Sequence, residues 1–592
     1  MKYLEKIYEN QKDNIVKYVD GNYLLNSRYK IGTIKISNKI AILDLGENKS
    51  QKIFVELDKL NGAYENDIVL VQVLFNPKGK TKAKVIDILE SSDNEILLYS
   101  QDNIFYTIKE SIEISINNNE KLSNGDILIA KNKNIVKIIG NIKEAKIDEK
   151  ISFYLYNQSY RLNDFEKYNY KATDVQRVDL THLDFCTIDP ISAKDHDDAI
   201  YFDKDNSELY IAIADVSAFV QESSELDKEA LKRGFSIYLP NKVLPMLPFE
   251  LSTDLCSLVP NEQRYAYVFK LKLDLNSFTV IKSELFEAII ESKNKFSYEY
   301  IDEVLKSNDL NNEYVNLYNI TKKFREKRLK KGFDFRNDEI RLILDHKEEL
   351  KDFRTETSSP SHSLVEECML LANKEGAKRL KLLGIYRTHE EPTQSKIKKL
   401  LEDVSLLGLK VKLKDDVHST ILDIQEKAKN YGLEQEIDEL IIQSQQQAKY
   451  SSIKNQHFGL GFDDYSHFTS PIRRYSDLVL HRMLKTHKIP KNIEDICEDI
   501  SVKERNITTL VWDYEDRKYA RYLSNYIGDI FEAKVIDVET PTVKIEDSYI
   551  KGARAFIENK ENNFSNKLFS TVKVKILSSD IISKRVIVSI MP

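Results

Sequence analysis

Short apolar runs dominate both ends of this 592-residue chain. Near the start, runs such as "GTIKI", "IAILDL" and "DIVLVQVL" alternate with Asn, Gly, Asp and Lys, and similar runs return after about residue 525. This spacing is typical of small antiparallel barrels and not of helical bundles. We therefore predict OB-like barrels at residues 1–90, 91–150 and 525–592.

The middle of the chain, about residues 175–520, has a different pattern. Strand-like runs such as "LYIAIADVSAFV" mix with helical segments such as "SLVEECMLLANKEGAKRLKLL". In the helical segment, Val365, Met369 and Ala372 recur at helical spacing and mark one apolar face. The predicted fold class is multidomain α+β, in which a central mixed α/β domain is flanked by small OB-type β-barrels.

Composition narrows the class of protein. Hydrophobic residues make up 41% and charged residues 31% of the chain, and no apolar run approaches the roughly 18 residues of a membrane helix. The first residues are charged throughout and resemble no secretion signal, so we expect a cytoplasmic protein without a membrane partner. Four distant cysteines argue against a zinc ribbon or a disulfide scaffold. With a net charge of −7, any contact with a polyanion depends on a local basic patch.

Four aspartates are concentrated in "TIDPISAKDHDDAI", residues 187–200. Neighbouring carboxylates repel one another unless a cation neutralises them. The spacing does not match a calcium EF-hand loop, because Ala199 and Ile200 occupy its last two positions. Oxygen-only donors suit Mg²⁺ or Mn²⁺, and such ions can polarise a phosphodiester. A solvated acidic turn is the alternative, although the apolar flanks "FCTI" and "AIYF" count against it.

A second constellation lies in "HFTSPIRRYSDLVLHR", residues 467–482. Arg473 and Arg474 follow a Ser-Pro turn and offer planar, permanently charged guanidinium groups that suit phosphate. The alternative is an arginine pair that bridges structural carboxylates.

These motifs resemble those of the ribonuclease II / ribonuclease R (RNB) family. The resemblance covers about residues 180–485, in order, through "LDFCTIDPISAKDHDDAI", "IAIADVSAFV", "SIYLPNKVLPMLP", "LVEECMLLAN", "YRTHEEP" and "HFGLGFDDYSHFTSPIRRYSDLVLHR". It implies a hydrolytic exoribonuclease that degrades single-stranded RNA processively from the 3′ end. The implied products are nucleoside 5′-monophosphates, and the implied cofactor is Mg²⁺, with Mn²⁺ as the alternative. A monomer is the default for such an enzyme.

The resemblance also assigns roles to individual residues. The implied metal ligands are Asp189, Asp195, Asp197 and Asp198, and the implied catalytic residues are Asp197 and Arg473. Substrate contacts are expected from Tyr238 in "IYLP", Tyr298 in "FSYEY", Phe335 in "KGFDFR", Glu366 in "VEE", and Arg473 at the scissile phosphate. Phe333 and Glu367 are the alternatives to Phe335 and Glu366.

Two positions depart from the pattern of the family. His196 lies between the metal aspartates, where many relatives carry an apolar or aromatic residue. It either ligates a softer ion such as Mn²⁺ or only packs and hydrogen-bonds. Ala218 follows "ADVS", where a histidine is common. Neither departure removes an expected ligand.

Two other functions use the same features. A catalytically inactive RNB-fold protein would bind RNA as a regulator, and a metal-dependent nuclease could act on DNA. The four aspartates favour an enzyme over the regulator. Selectivity for RNA over DNA would require contacts to the 2′-hydroxyl group.

Overall fold

The computed structural model describes residues 2–10, 15–37, 40–46, 52–74, 80–117, 121–335, 338–558 and 568–591. The chain begins with helix α1 (Lys2–Asn10) and a hairpin of β1 (Val16–Val19) and β2 (Asn22–Leu25). Five strands then form a closed barrel: β3 (Tyr29–Ser37), β4 (Ile40–Asp44), β5 (Ile53–Val55), β6 (Ile68–Leu74) and β7 (Lys82–Glu90). Side chains alternate between the faces of each strand, so Ile34, Leu43 and Val69 fill the interior.

The next segment is a five-stranded antiparallel sheet. Its strands are β8 (Ile96–Gln101), β9 (Ile104–Thr107), β10 (Glu113–Ile114), β11 (Asp126–Lys131) and β12 (Asn134–Asn141), in the order β10-β9-β8-β11-β12. Asn117, just after β10, forms a parallel bridge with Asn134 of β12, so the two edges of the sheet meet in the strand order of the first barrel. The barrel expected for residues 91–150 stays a prediction. Both faces of the sheet are covered: Leu98 and Leu128 share a core with the first barrel, whereas Ile127 and Ile129 pack against helix α2 (Ile147–Leu155).

The central domain is built on a six-stranded sheet. Its first elements are β13 (Val178–Asp179), β14 (Phe185–Asp189), β15 (Asp198–Asp203), β16 (Glu208–Ala214), α3 (Glu225–Arg233), β17 (Ile237–Leu239), β18 (Lys242–Leu244), β19 (Gln263–Asp274) and β20 (Thr279–Ser297). The sheet order is β13-β20-β14-β15-β16-β19. Strand β20 pairs with β19 up to Glu291 and with β14 from Ser292 onward, so the sheet curves back on itself.

Helices cover this sheet. The remaining central elements are α4 (Tyr298–Lys306), α5 (Glu313–Arg328), β21 (Glu339–Leu344), β22 (Leu350–Glu356), α6 (Pro360–Arg379), β23 (Leu383–Thr388), α7 (Gln394–Leu406), α8 (Val417–Tyr431), α9 (Glu434–Ser444), β24 (Lys449–Ile453), α10 (Tyr475–Thr486) and α11 (Ile493–Leu523). Helix α6 begins after Ser359 with a proline in its first turn, a favoured position for proline. Helices α7 to α9 enclose a separate core that includes Val404, Ile421 and Ile441.

A second closed barrel ends the chain. Its strands are β25 (Ile530–Asp537), β26 (Thr542–Glu546), β27 (Lys551–Ile557), β28 (Thr571–Asp580) and β29 (Arg585–Ile590). Their order, β25-β26-β27-β29-β28, repeats the order of the first barrel, including the parallel pairing of the third and fifth strands. The predicted fold class, a central mixed α/β domain flanked by small β-barrels, is confirmed.

Helix α11 contacts both α2 and the last barrel. Arg521 donates to both carboxylate oxygens of Asp148 in α2, at 2.9 and 2.6 Å. Asp513 accepts a hydrogen bond from Ser152 of α2 and pairs with Lys584 of the last barrel. Buried charges are stable only when they are paired in this way. Among the described helices, none combines the length and the apolar content needed to cross a bilayer.

Candidate active site

A cavity of about 1380 Å³ opens between the central sheet, the hairpin β17–β18 and helices α6 and α11. This exceeds the roughly 300–1,000 Å³ of pockets that hold drug-sized ligands, so the cavity has room for more than one nucleotide. Its lining includes all but one of the residues predicted for the site, namely Asp189, Asp195, Asp197, Asp198, Tyr238, Tyr298, Glu366 and Arg473. The exception is Phe335.

The connection between β14 and β15 brings the aspartates together. Strand β14 ends at Asp189 and its antiparallel neighbour β15 begins at Asp198. Both residues therefore lie at the same end of the two strands. The intervening loop carries Asp195 and Asp197. The loop is fixed, because the Ile472 amide donates to Asp197 Oδ1 at 2.9 Å and the Ala214 amide donates to the carbonyl oxygen of Asp197 at 2.8 Å.

The carboxylates influence one another electrostatically. Burial raises the pKa of Asp197 well above its usual value against the opposing effect of Arg473, and the charges of Asp195 and Asp198 add to the increase. Burial and the Asp189 charge raise the pKa of Asp198 to about 8. Such mutual repulsion is the electrostatic environment in which a divalent cation binds favourably.

The donor set fits a hard divalent cation, although the side chains do not form a closed ligand shell. In the described part of the chain, no three His, Cys, Asp or Glu side chains are grouped closely enough to hold a metal ion. Three of the aspartates have protein partners instead: Tyr238 bonds Asp195, His196 bonds Asp189, and Arg473 and Ile472 contact Asp197. A cation that bound here would compete with these contacts for the carboxylate oxygens.

Arg473 and Arg474 have different environments. Arg473 Nε lies 3.5 Å from Asp197 Oδ2, and 42% of the Arg473 side chain is exposed. Arg474 instead directs Nε and Nη2 to the two carboxylate oxygens of Asp477, at 2.9 and 2.7 Å. The bidentate ion pair satisfies the guanidinium of Arg474. Arg473 is therefore the member of the pair that is available to a phosphate.

The two predicted tyrosines lie on different elements. Tyr238, in β17, is 43% exposed and donates its hydroxyl hydrogen to Asp195 Oδ2 at 2.6 Å. Tyr298 opens helix α4, and its ring stacks on His362 of α6 with a centroid distance of 3.8 Å. Both rings line the cavity, where aromatic faces can stack on nucleotide bases.

The structure separates Glu366 from Glu367. Adjacent residues of a helix point about 100° apart, so two neighbouring side chains can have different surroundings. Glu366 lines the cavity, and its side chain is 46% exposed and accepts a hydrogen bond from Arg325 at 2.9 Å. Glu367 is buried against Arg328, at 2.5 Å. The geometry favours Glu366 for substrate contact and assigns Glu367 to a structural ion pair.

Phe335 is placed away from the cavity lining. Its ring stacks on buried Phe333 with a centroid distance of 5.9 Å, in the core beneath helices α7 to α9. The preceding backbone is held close to another loop: Phe333 donates to the Gly459 carbonyl at 2.9 Å, and a Cβ on Gly332 would lie 2.6 Å from the backbone of Leu460. This close approach directs both rings into the helical core.

His196 is 2% exposed and lies 2.6 Å from Asp189 Oδ2 through Nδ1. Its backbone amide donates to Ser257 Oγ at 2.9 Å. The side chain therefore acts as a hydrogen-bonding partner of an expected metal ligand.

The cavity also contains residues that the sequence did not single out, namely Phe249, Asn373, Arg387, His457, Tyr465 and His467. The last three lie within "HFGLGFDDYSHF", a motif for which the resemblance implied no site residue. Burial lowers the pKa of His457 to about 3, and it lowers the pKa of His467 well below its usual value. Both imidazoles are therefore neutral at physiological pH.

Comparison with known proteins is consistent with this arrangement. The RNB domain family profile matches residues 177–489. Ribonuclease R of Helicobacter pylori (strain ATCC 700392 / 26695) is 32% identical over 606 residues, which cover 95% of this chain and 92% of the relative. Ribonuclease R of Thermotoga maritima is 29% identical over 87% of this chain and 80% of the relative.

Solved structures share the fold. Mycoplasma genitalium RNase R in complex with ribose-methylated single-stranded RNA has a TM-score of 0.77 and 25% identity, over 95% of this chain and 100% of that chain. Yeast Ssd1, a pseudonuclease, has a TM-score of 0.65 at 15% identity. Because a pseudonuclease shares it, the fold alone does not establish activity.

The fold, the site and the relatives together define the class of this protein, which is an exoribonuclease. The chain belongs to the RNB family, and the resemblance to ribonuclease II and ribonuclease R is confirmed.

Proposed function

We propose that this chain degrades single-stranded RNA processively from the 3′ end and releases nucleoside 5′-monophosphates by Mg²⁺-assisted hydrolysis, with Mn²⁺ as the alternative ion. The observation that carries the proposal is that Asp189, Asp195, Asp197 and Asp198 face the same cavity as Arg473. This set combines a cation site with a guanidinium that can bind phosphate. The ribonuclease R relatives and the RNA complex of the Mycoplasma enzyme support it.

The side chains divide the chemistry between them. The four aspartates would hold the ion, which when bound supplies Lewis-acid polarisation of the scissile phosphodiester. Arg473 donates hydrogen bonds to the phosphate oxygens and neutralises the charge that develops on them. Tyr238 and Tyr298 stack on bases, and Glu366 holds the terminal nucleotide. Stacking accepts any base, so such a site acts without sequence preference.

A time course with purified protein tests this function. The substrate is 5′-labelled single-stranded RNA with Mg²⁺ or Mn²⁺, run beside matched DNA and a duplex RNA with a 3′ tail. We expect a labelled short 5′ end product from RNA only, together with unlabelled mononucleotides that chromatography of the reaction mixture detects. Skipping of intermediate lengths in the presence of excess unlabelled RNA would support processivity, and light scattering would test the expected monomer.

Two variants make the test specific. Asp197→Asn retains an oxygen that can accept from the Ile472 amide, so the loop should keep its shape while a cation ligand loses its charge. We expect RNA binding largely intact and turnover reduced by at least about 100-fold. Asp205→Asn, at an exposed turn of the same domain, is the matched control and should behave as wild type.

Other outcomes have defined meanings. Near-normal turnover by Asp197→Asn would contradict the assignment of the aspartates. Tight RNA binding by wild type without products, across Mg²⁺ and Mn²⁺, would indicate the RNA-binding regulator. Equal degradation of DNA would replace the exoribonuclease with a nuclease of broader specificity. The tailed duplex would show whether base-paired RNA is also degraded.

A further inference from the structure

Phe249 is an exposed aromatic residue in the lining of the cavity. Its relative exposure is 55%, although a phenylalanine has no polar group that could compensate for contact with water. Among the described residues, its ring takes part in no ring stack and no cation–π pair. A large apolar surface left open inside a functional cavity suggests that a ligand covers it.

The backbone presents this ring rigidly. Leu247 and Leu251 on either side of Phe249 are fully buried and anchor the segment in the core. The Pro248 carbonyl accepts hydrogen bonds from the amides of Leu251 at 3.0 Å and Ser252 at 2.9 Å. Thr253 Oγ1 donates to the Phe249 carbonyl at 2.8 Å. The backbone at Phe249 therefore loses little conformational entropy when the ring meets a ligand.

The local helix geometry is also unusual. The residues after Phe249 form a π-helical turn over Leu251–Leu255, a rare conformation that occurs often at functional sites. Ser252 and Thr253 of this turn line the cavity with Phe249. Phe249 and these two hydroxyl-bearing residues therefore belong to the lining of the same cavity.

Phe249 lines the cavity, whereas Phe335 does not. The resemblance to the family implied that Phe335 would supply an aromatic contact to the substrate. The ring of Phe335 stacks on Phe333 and is absent from the cavity lining. Phe249 and Tyr238 both line the cavity, and both are without aromatic partners in the described residues.

We propose that Phe249 stacks on a base of the bound RNA strand and supplies an aromatic face of the substrate channel. The proposal rests on the proposed function, because it requires single-stranded RNA in this cavity. The recognised chemistry is the π face of a nucleobase, so no particular base is preferred.

The test combines a protein variant with an RNA variant. Phe249→Leu keeps an apolar side chain and removes the π face, and abasic nucleotides remove the base at one position of a 5′-labelled RNA. Binding is measured by fluorescence anisotropy in EDTA, with the abasic site moved stepwise from the 3′ end. We expect Phe249→Leu to bind intact RNA at least about fivefold more weakly. At one abasic position, the affinity of wild type for RNA should fall by a similar factor. The affinity of the variant should not fall further at that position.

Two controls isolate the aromatic ring. Phe249→Tyr retains the π face and should bind within about twofold of wild type. Tyr431→Leu removes an aromatic residue of similar exposure, 56%, at the end of α8 and outside the cavity lining. It should have no effect on binding. Equal melting temperatures of the Phe249 variants and wild type would confirm that folding is unchanged.

The result that overturns the inference is distinct from failure of the proposed function. If wild type binds and degrades RNA, but Phe249→Leu shows no coupling to any abasic position, Phe249 does not stack on the substrate. If Phe249→Tyr is as defective as Phe249→Leu, the ring face is also not the determinant. If wild type neither binds nor degrades RNA, the proposed function itself has failed.

Discussion

Tyr238 donates its hydroxyl hydrogen to Asp195 Oδ2 at 2.6 Å. The contact joins a ring proposed to stack on RNA to a carboxylate proposed to hold the metal. It fixes the ring at the margin of the acidic site, so the hydroxyl and the ring can have separable roles.

Variants at Tyr238 should separate these roles. Tyr238→Phe keeps the ring, and we expect its affinity for single-stranded RNA to remain within about twofold of wild type. Tyr238→Ala removes the stacking surface and should weaken binding by about 1–3 kcal/mol. Anisotropy with labelled RNA in EDTA measures both. Equal losses in the two variants would assign the binding energy to the hydroxyl group and not to the ring.

The arginine pair allows a second comparison. Arg473→Lys retains positive charge but loses the planar fork, and we expect kcat to fall about 100-fold with an unchanged melting temperature. Arg474→Lys breaks the bidentate contact with buried Asp477 and should lower the melting temperature. Single-turnover kinetics and thermal unfolding measure the two effects. A loss of stability in Arg473→Lys with normal turnover would reverse the roles.

The neighbouring glutamates should respond in opposite ways. Glu367→Gln leaves Arg328 with a weaker buried partner and should lower the free energy of unfolding by about 1–3 kcal/mol. Glu366→Gln changes an exposed carboxylate and should leave stability within about 0.5 kcal/mol. Its expected effect is a higher KM for RNA. Urea unfolding and steady-state kinetics distinguish the pair, and an unstable Glu366→Gln would contradict the placement.

His481 should make the central domain sensitive to acid. Burial lowers its pKa to about 4, and Nδ1 has no hydrogen-bond partner in the described structure, whereas Nε2 lies 2.8 Å from the Phe468 carbonyl. An unfolded histidine has a pKa near 6.5, so between pH 6.5 and 4 the unfolded state binds a proton that the folded state excludes. Acidification from pH 7 to 5 should therefore lower the free energy of unfolding by about 2 kcal/mol through this residue.

The measurement compares wild type with His481→Gln. The variant removes the titrating group and can still donate a hydrogen bond toward Phe468. The free energy of unfolding, measured in urea, should fall less steeply between pH 7 and 5 in the variant than in wild type. Parallel pH profiles for the two proteins would show that His481 does not contribute.

Local sequence patterns predicted several parts of the molecule correctly. Alternating apolar residues indicated the strands of the two closed barrels, because the pleat of a strand points successive side chains to opposite faces. The helical spacing of Val365, Met369 and Ala372 lies within α6, where Val365 and Ala372 are buried and Met369 reaches the cavity. The aspartate motif indicated a concentrated acidic site, because its four members lie within ten residues of one another.

Contacts between distant segments could not be predicted from local sequence patterns. The second sheet shares one hydrophobic core with the first barrel and packs its other face on α2. The loop around Gly459 directs Phe333 and Phe335 into the helical core. No sequence pattern marks Phe249, since only its exposure in the cavity distinguishes it from an ordinary core phenylalanine.

The sequence by itself determined the family, the class of fold and the acidic motif, because these depend on residue types at short spacing. The tertiary structure decided which of two adjacent side chains is exposed and which is held by a buried partner, as at Glu366 and Glu367 and at Arg473 and Arg474. The physical reason is that rotation along the backbone and pairing with distant charges such as Arg328 and Asp477 set the direction of each side chain. These partners become neighbours only when the chain folds.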